Sequence, residues 1–307
     1  MRKRGLMAAV GAMGACAGCV LAQAGSGVSI TDNNITWTQA DWQTSNTAAV
    51  GTTAWAPSSQ PNALRVNDQP IGVNSFSNYA HQNDWFYRFT TSGNAEFRER
   101  NFASSSNRVV GGNSASWDFA LSNSGSGGGS LLATLSQRVI GIGGGQGRVE
   151  QTLTLTNSTG QDQSIALFNW AKIQAALTTS SSNALSVASS GAGQRTITFT
   201  NNNSFGAPVS VNFSGSGLST TANNFQAETF STGSGLLFGL TNSSLTSLTG
   251  LATGGNTASP QAALRFDVSV PAGTSASITT VIAVIPGPGA AGLLGCAAML
   301  AARRRRR

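Results

Sequence analysis

The chain has 307 residues, 40% of them hydrophobic and 9% charged, enough apolar content for a buried core and too much for disorder throughout. Its formal charge of +7 and pI near 10.4 suggest a polyanionic partner until the charges are located. Eight of the eighteen basic residues are Arg2, Lys3, Arg4 and Arg303 to Arg307, whereas residues 25–285 hold ten basic against all eleven acidic residues, a net charge of −1 that excludes the basic footprint of a nucleic-acid binder.

The N-terminal segment reads MRKRGLMAAVGAMGACAGCVLAQA. A cationic start, an apolar run from Gly5 to Ala22 and the small-x-small triplet Ala22-Gln23-Ala24 predict a secretory signal peptide over 1–24, cleaved between Ala24 and Gly25. An uncleaved anchor is the competing reading, but the run is rich in Gly and Ala and weakly apolar for a permanent span. Cys16 and Cys19 have C-x-x-C spacing, and Cys19 stands where a lipoprotein cleavage box would end. Val20 rather than His follows Cys19, and Cys16 replaces the Leu that such a box prefers. Both cysteines read as small apolar residues of a segment destined for removal. Cys296 lies in the C-terminal apolar segment, so residues 25–285 carry no thiol, which suits an oxidising compartment.

From Gly25 to Ile285 strand-like runs alternate with Ser, Thr, Asn and Gly clusters, an all-β signature. Alternation appears at Trp85/Tyr87/Phe89, Trp117/Phe119/Leu121, Ile197/Phe199, Val209/Val211/Phe213 and Leu264/Phe266/Val268/Val270. Arg148 to Asn157 puts Val149, Leu153 and Leu155 on one face and Thr152 and Thr154 on a wet one. Residues 163–173 and 277–285 are apolar on both parities and are expected to be central strands covered on both faces. Helical periodicity is confined to the termini. Short, even spacing of turn signals favours an antiparallel β-sandwich or jelly-roll-like body. Residues 122–130, SNSGSGGGS, fit a long hairpin loop, with a domain boundary as the alternative, and 180–193 and 242–259 read as polar loops.

Few groups in this body carry chemistry. His81 is the single histidine and no G-x-S-x-G occurs, which removes the serine-hydrolase constellation; one His without Cys removes an ordinary zinc site. His81 itself reads as a hydrogen-bonding residue of a loop or strand edge. No cofactor and no metal ligand is expected. Paired carboxylates could serve glycoside hydrolysis, but Glu96 and Glu99 alternate with Arg98 and Arg100, and these acids, like Asp118 and Glu150, read as surface charges. Thr31-Asp32-Asn33-Asn34 and Gln82-Asn83-Asp84 are oxygen-rich without following a calcium-loop motif. Of six tryptophans, Trp85, Trp117 and Trp170 sit in strands and are expected in the core, while Trp42 and Trp55 lie in polar loops and are the candidates for stacking on a sugar.

The chain ends ITTVIAVIPGPGAAGLLGCAAMLAARRRRR. Pro286 and Pro288 should stop the last strand, Ala290 to Ala302 is an apolar helix candidate, and Arg303, Arg304, Arg305, Arg306 and Arg307 close the chain. Thirteen helical residues span about 20 Å against a hydrocarbon core of about 30 Å, so the segment suits transient retention with its arginines on the cytoplasmic side. Gly287-Pro288-Gly289-Ala290-Ala291-Gly292 matches a dinucleotide-binding G-x-G-x-x-G literally, but Pro288 removes a backbone N–H and no second strand can follow.

The order Pro286-Gly287-Pro288, apolar helix, arginine cluster resembles the PEP-CTERM sorting signal, with Gly287 in place of that family's glutamate. The resemblance covers about the last twenty-two residues. It implies signal peptidase and an exosortase-like sorting enzyme as partners, membrane contact through the C-terminal helix before processing, and delivery of the body to the outer surface or extracellular matrix. The expected division is 1–24 signal peptide, 25–285 β body and 286–307 sorting tail. The expected function is a non-enzymatic surface or matrix component with extracellular glycan as a partner; the alternative is a secreted carbohydrate-binding module or carboxylate-dependent glycoside hydrolase.

Overall fold

Alternating apolar and polar residues in an extended chain place every second side chain on one face, and among the described residues sixteen strands use that rule to close two sheets over one core. The computed structural model describes residues 28–39, 63–66, 78–90, 97–98, 105–121, 131–173, 175, 183–191, 193–201, 209–217, 224–229, 235–241, 245–253 and 260–286. Sheet A runs in the order β1 (Val28–Asp32), β2 (Ile35–Gln39), β3 (Ala63–Val66), β4 (Asn78–Phe89), β10 (Gln163–Ile173), β15 (Pro260–Val270), β14 (Phe225–Thr229), with β5 (Phe97–Arg98) also pairing with β4. Sheet B runs β11 (Asn183–Gly191), β12 (Gln194–Asn201), β13 (Val209–Ser216), β16 (Ser275–Pro286), β9 (Gln146–Thr156), β8 (Leu131–Gly143), β7 (Ser114–Leu121), β6 (Ser105–Val110). All pairings between these strands are antiparallel. The body is an all-β sandwich, and the expected inward faces are those observed.

The interior is not wholly apolar. Trp37 Nε1 donates to Gln137 Oε1 at 3.0 Å and Trp85 Nε1 to Gln151 Oε1 at 3.2 Å, so two indoles of sheet A are tied to two amides of sheet B across the core. Asn83 Nδ2 bonds Asn169 Oδ1 at 3.1 Å and the Trp170 carbonyl at 3.0 Å. Such bonds are directional where hydrophobic contact is not, so they pin one sheet's position on the other. Asn83 and Asp84 are thus buried residues of β4 and not part of an oxygen-rich loop.

Two of the chain's crossings between sheets, β9–β10 and β15–β16, meet at one end. Asn157, fully buried at the exit of β9, donates from Nδ2 to the carbonyls of Gln161 and Val270, both at 2.8 Å, and accepts at Oδ1 from Thr159 N at 3.0 Å and Thr159 Oγ1 at 2.6 Å. Its own N–H reaches the Thr274 carbonyl at 2.9 Å. The β9–β10 and β15–β16 crossings are therefore stitched by a single saturated amide. At the opposite end the two-residue β1–β2 turn docks on the β8–β9 hairpin: Asp32 Oδ2 accepts from Gly141 N at 3.0 Å and Asn34 Oδ1 from Gly143 N at 3.2 Å. A Cβ on Gly141 would collide with the Asp32 carbonyl oxygen, so only glycine permits this approach. The oxygens of Thr31-Asp32-Asn33-Asn34 close the sandwich.

Further expectations change. Residues 183–191 form strand β11 within the expected loop 180–193, because Leu185 and Val187 alternate inward against the core. One helix was missed, α1 (Gly235–Thr241), seven residues long and too short for a periodic signal. Within the expected loop 242–259, Ala227 N donates to Leu251 O at 3.0 Å and Thr253 N to Ala227 O at 2.8 Å, which covers the edge of β14. The last strand runs one residue further than expected, with Pro286 in register with Val209. Residues 122–130 lie outside the described residues; the strands on either side of them pair, Leu121 with Leu131.

Candidate functional site

Each sheet has an outward face, and the two faces differ in what covers them. On sheet A, β10 turns Ala166, Phe168 and Trp170 outward, where Leu236, Leu237 and Leu240 of α1 and Leu248 bury them in a second apolar cluster. The cover is tied down by polar groups: Trp170 Nε1 donates to Gln261 Oε1 at 2.9 Å, Gln261 Nε2 to Glu228 Oε1 at 3.1 Å, and the same carboxylate oxygen accepts from Leu236 N at the start of α1. Gly235, at φ +83, would drive a Cβ into Glu228 Oε1 if replaced. Two guanidinium groups flank the Phe168 ring, Arg88 at 5.5 Å and Arg265 at 5.8 Å. Half-buried Lys172 shares this face in register with Gln82 and Gln261, and burial lowers its ammonium pKa below the ordinary lysine value.

Sheet B's outward face is polar and open among the described residues. Gln194, Ser216, Thr279, Thr152, Ser136 and Ser116 fall in one row across six strands. The next row sets Ser277 against Thr154, Thr134 and Asp118. Neighbouring strands are about 4.8 Å apart and same-face residues about 6.8 Å apart along a strand, so the rows form a regular field of hydroxyls. Cross-strand bonds hold it: Thr152 to Thr279 at 3.2 Å, Thr154 to Ser277 at 2.8 Å, Thr156 to Ser275 at 2.9 Å and Thr198 to Asn212 at 2.9 Å. A depression of about 230 Å³ opens in this field, lined by Gln194, Thr196, Ser214, Ser216 and Thr279 together with Arg195, Gly215 and Val281. Chemically it offers hydroxyl and amide donors and acceptors, with one cation, Arg195, whose Nε donates to Asn224 Oδ1 at 3.2 Å.

Asp118 accepts from Thr134 Oγ1 at 2.7 Å, and Glu150 pairs with Arg148 at 2.7 Å. They stand on strands two apart and about four residues apart along them, roughly 17 Å at the backbone, beyond the about 5 to 10 Å of a glycosidase pair. Among the described residues no group of three His, Cys, Asp or Glu could hold a metal ion. Trp85, Trp117 and Trp170 are buried as expected, and Trp37 joins them. The His81 side chain, Trp42, Trp55, Glu96 and Glu99 lie outside what is described, as do Ala22, Ala24, Gly25, Gly287, Pro288 and Arg303 to Arg307. Among the described residues no helix is long and apolar enough to cross a membrane. The hydroxyl rows were legible only strand by strand, as Thr and Ser at every second position; their alignment needs the register.

These features define a class, a two-sheet antiparallel β-sandwich with, among the described residues, one covered and one open polar face. No family model and no curated protein matches the chain. Solved structures similar to it include a chain assigned as a kojibiose phosphorylase from human microbiome, 12% identical with a TM-score of 0.39, covering 70% of this chain and 24% of that one. Another is assigned as an aldose 1-epimerase from Escherichia coli K12, 6% identical with a TM-score of 0.37, covering 85% of this chain and 99% of that one. This chain therefore spans about a quarter of the phosphorylase. At these scores neither similarity assigns a role to a residue.

Proposed function

We propose that the protein is an exported, non-enzymatic component of the cell surface or extracellular matrix, whose body meets neutral glycan through the outward face of sheet B. The observation that carries the reading is the in-register field of hydroxyl and amide groups around the depression at Gln194, Thr196, Ser214, Ser216 and Thr279. A polyol ligand exchanges hydrogen bonds with such a face, and Arg195, the one charged group in the lining, already donates to Asn224. The near-neutral body and the two terminal segments support export, with signal peptidase acting at Ala24 and an exosortase-like enzyme acting near Pro286-Gly287-Pro288. Apolar residues 290–302 and the five terminal arginines would hold the chain at the membrane until then.

Affinity electrophoresis of the full chain through gels containing neutral polysaccharides tests the glycan contact. Retardation by at least one polymer is expected, with loss in Ser214→Glu and Thr279→Glu, which place carboxylates in the depression. Equal migration of parent and variants in every gel removes the reading. Sorting is tested separately by fractionating cells. Deleting residues 286–307 should release the body into the medium, and replacing Arg303 to Arg307 by serine should weaken retention. Surface retention unchanged in both variants would rule out the tail as the sorting element.

A further inference from the structure

One part of sheet B's outward face is not hydroxyl-lined. Near the end of β16, Val281, Ala283 and Ile285 point outward, and Ile285 is 42% exposed. The sequence predicts a second cover over this strand, and among the described residues none is present. Two strands away, β8 turns Ile140 to the same face, and Ile142, 56% exposed, follows it at the irregularity between Gly141 and Gly143. The register joins them: Ile140 pairs with Arg148 and Arg148 with Ala283. Gly141 pairs with Gly147, and Gly147 with Val284, so Ile142 and Ile285 each lie one residue beyond a common row on strands two apart, roughly 10 Å at the backbone. Arg138, Arg148 and Glu150 interleave with this apolar end, two cations to one anion.

The chain leaves the sandwich at this same end. Pro286 closes β16, and Ala290, the first residue of the apolar tail segment, follows four residues later. Four extended residues reach at most about 14 Å. A tail embedded from Ala290 onward therefore cannot hold this end of sheet B farther than that from the membrane interface. The Ser277 and Thr279 rows lie six to eight residues back along β16, roughly 20 to 27 Å away.

We propose that the apolar end of this face, Ile140, Ile142, Ala283 and Ile285 with Arg138 and Arg148 among them, rests on the lipid surface that holds the tail. The body then stands with the β8–β9 hairpin against the headgroups and the hydroxyl field directed away from them. Isoleucines enter the headgroup boundary while the two guanidinium groups meet lipid phosphates, the arrangement by which apolar and basic residues share an interface. The inference rests on the membrane-held tail of the preceding section.

The test uses the full chain with Cys16, Cys19 and Cys296 replaced by alanine, bound to vesicles of phosphatidylcholine and phosphatidylglycerol that carry a nitroxide on the lipid headgroup. A fluorophore is placed at Ile142→Cys, Ile285→Cys or Ser158→Cys, the last on an exposed turn at the opposite end. Quenching several-fold stronger at 142 and 285 than at 158 is the expected result. Equal quenching at the three sites, or stronger quenching at 158, in chain that sediments with the vesicles would overturn the orientation while leaving the tail reading intact. Chain that does not bind vesicles at all would defeat the tail reading and this inference with it. In detergent solution without vesicles, iodide should reach the label at 142; shielding there would mean that the chain itself or a second copy covers the patch, and the proposal falls.

Discussion

Strands β10 and β16 look alike in sequence, each apolar on both parities and each central in its sheet, yet among the described residues only β10 is covered twice. The difference lies in the neighbours. Outward from β10 and its partners β4 and β15 come Phe86, Phe168, Trp170 and Ala263, large enough together to bury α1. Outward from β16 come Val281 and Ala283, flanked by Glu150 and Arg148 on β9 and by Ser214 and Asn212 on β13. An apolar run on both parities marks a strand in the middle of a sheet; a second cover needs aromatic bulk on adjacent strands and a segment free to reach it.

The largest effect expected from this contrast is at Trp170. Trp170→Ala empties the space beneath α1 and leaves Gln261 Oε1 without its donor, a loss of about 4 kcal/mol to be read from denaturant unfolding. A cost no greater than that of a substitution on β16's outward face would break the comparison. Next comes the joint between the sheets: Asn157→Ala strands three backbone groups at once, the Val270 carbonyl among them buried, and should cost about 3 kcal/mol, while Asn157→Asp, which loses the two Nδ2 donors, should recover little of it. Gly235→Ala tests how the cover is joined to the sheet, because the left-handed backbone strains the start of α1 and the collision is with Glu228, which accepts from both Leu236 N and Gln261. About 1 to 2 kcal/mol is expected, with hydrogen-exchange protection lost over 235–241 and kept in β10. Protection lost equally in both would mean that α1 and the sheet open as one unit. Smallest is Val281→Thr on the uncovered face, expected within about 0.5 kcal/mol in thermal unfolding of the chain free of lipid; a larger loss would reveal a cover over β16.

The all-β class and the inward-facing residues of β4, β7, β9, β12, β13 and β15 were legible in the residue pattern, because alternation along a strand is a local steric rule that tertiary context does not alter. The residue pattern also placed the charge at the two ends of the chain and removed a basic binding surface from the body. Tertiary structure alone decided what depends on residues far apart in the chain. Leu236 of α1 and Phe168 are neighbours only because β10 and β15 pair. Asp32 and Asn34 find their partners in Gly141 and Gly143 through the meeting of two hairpin ends, and Gln137 and Gln151 find theirs in Trp37 and Trp85 across the core. The hydroxyl field has the same origin: Thr and Ser at every second position announce a wet face on each strand, but a row from Gln194 to Ser116 exists only once five registers are set. Register is fixed by turns and by packing across the core, both long-range, and so it is absent from any single stretch of the chain.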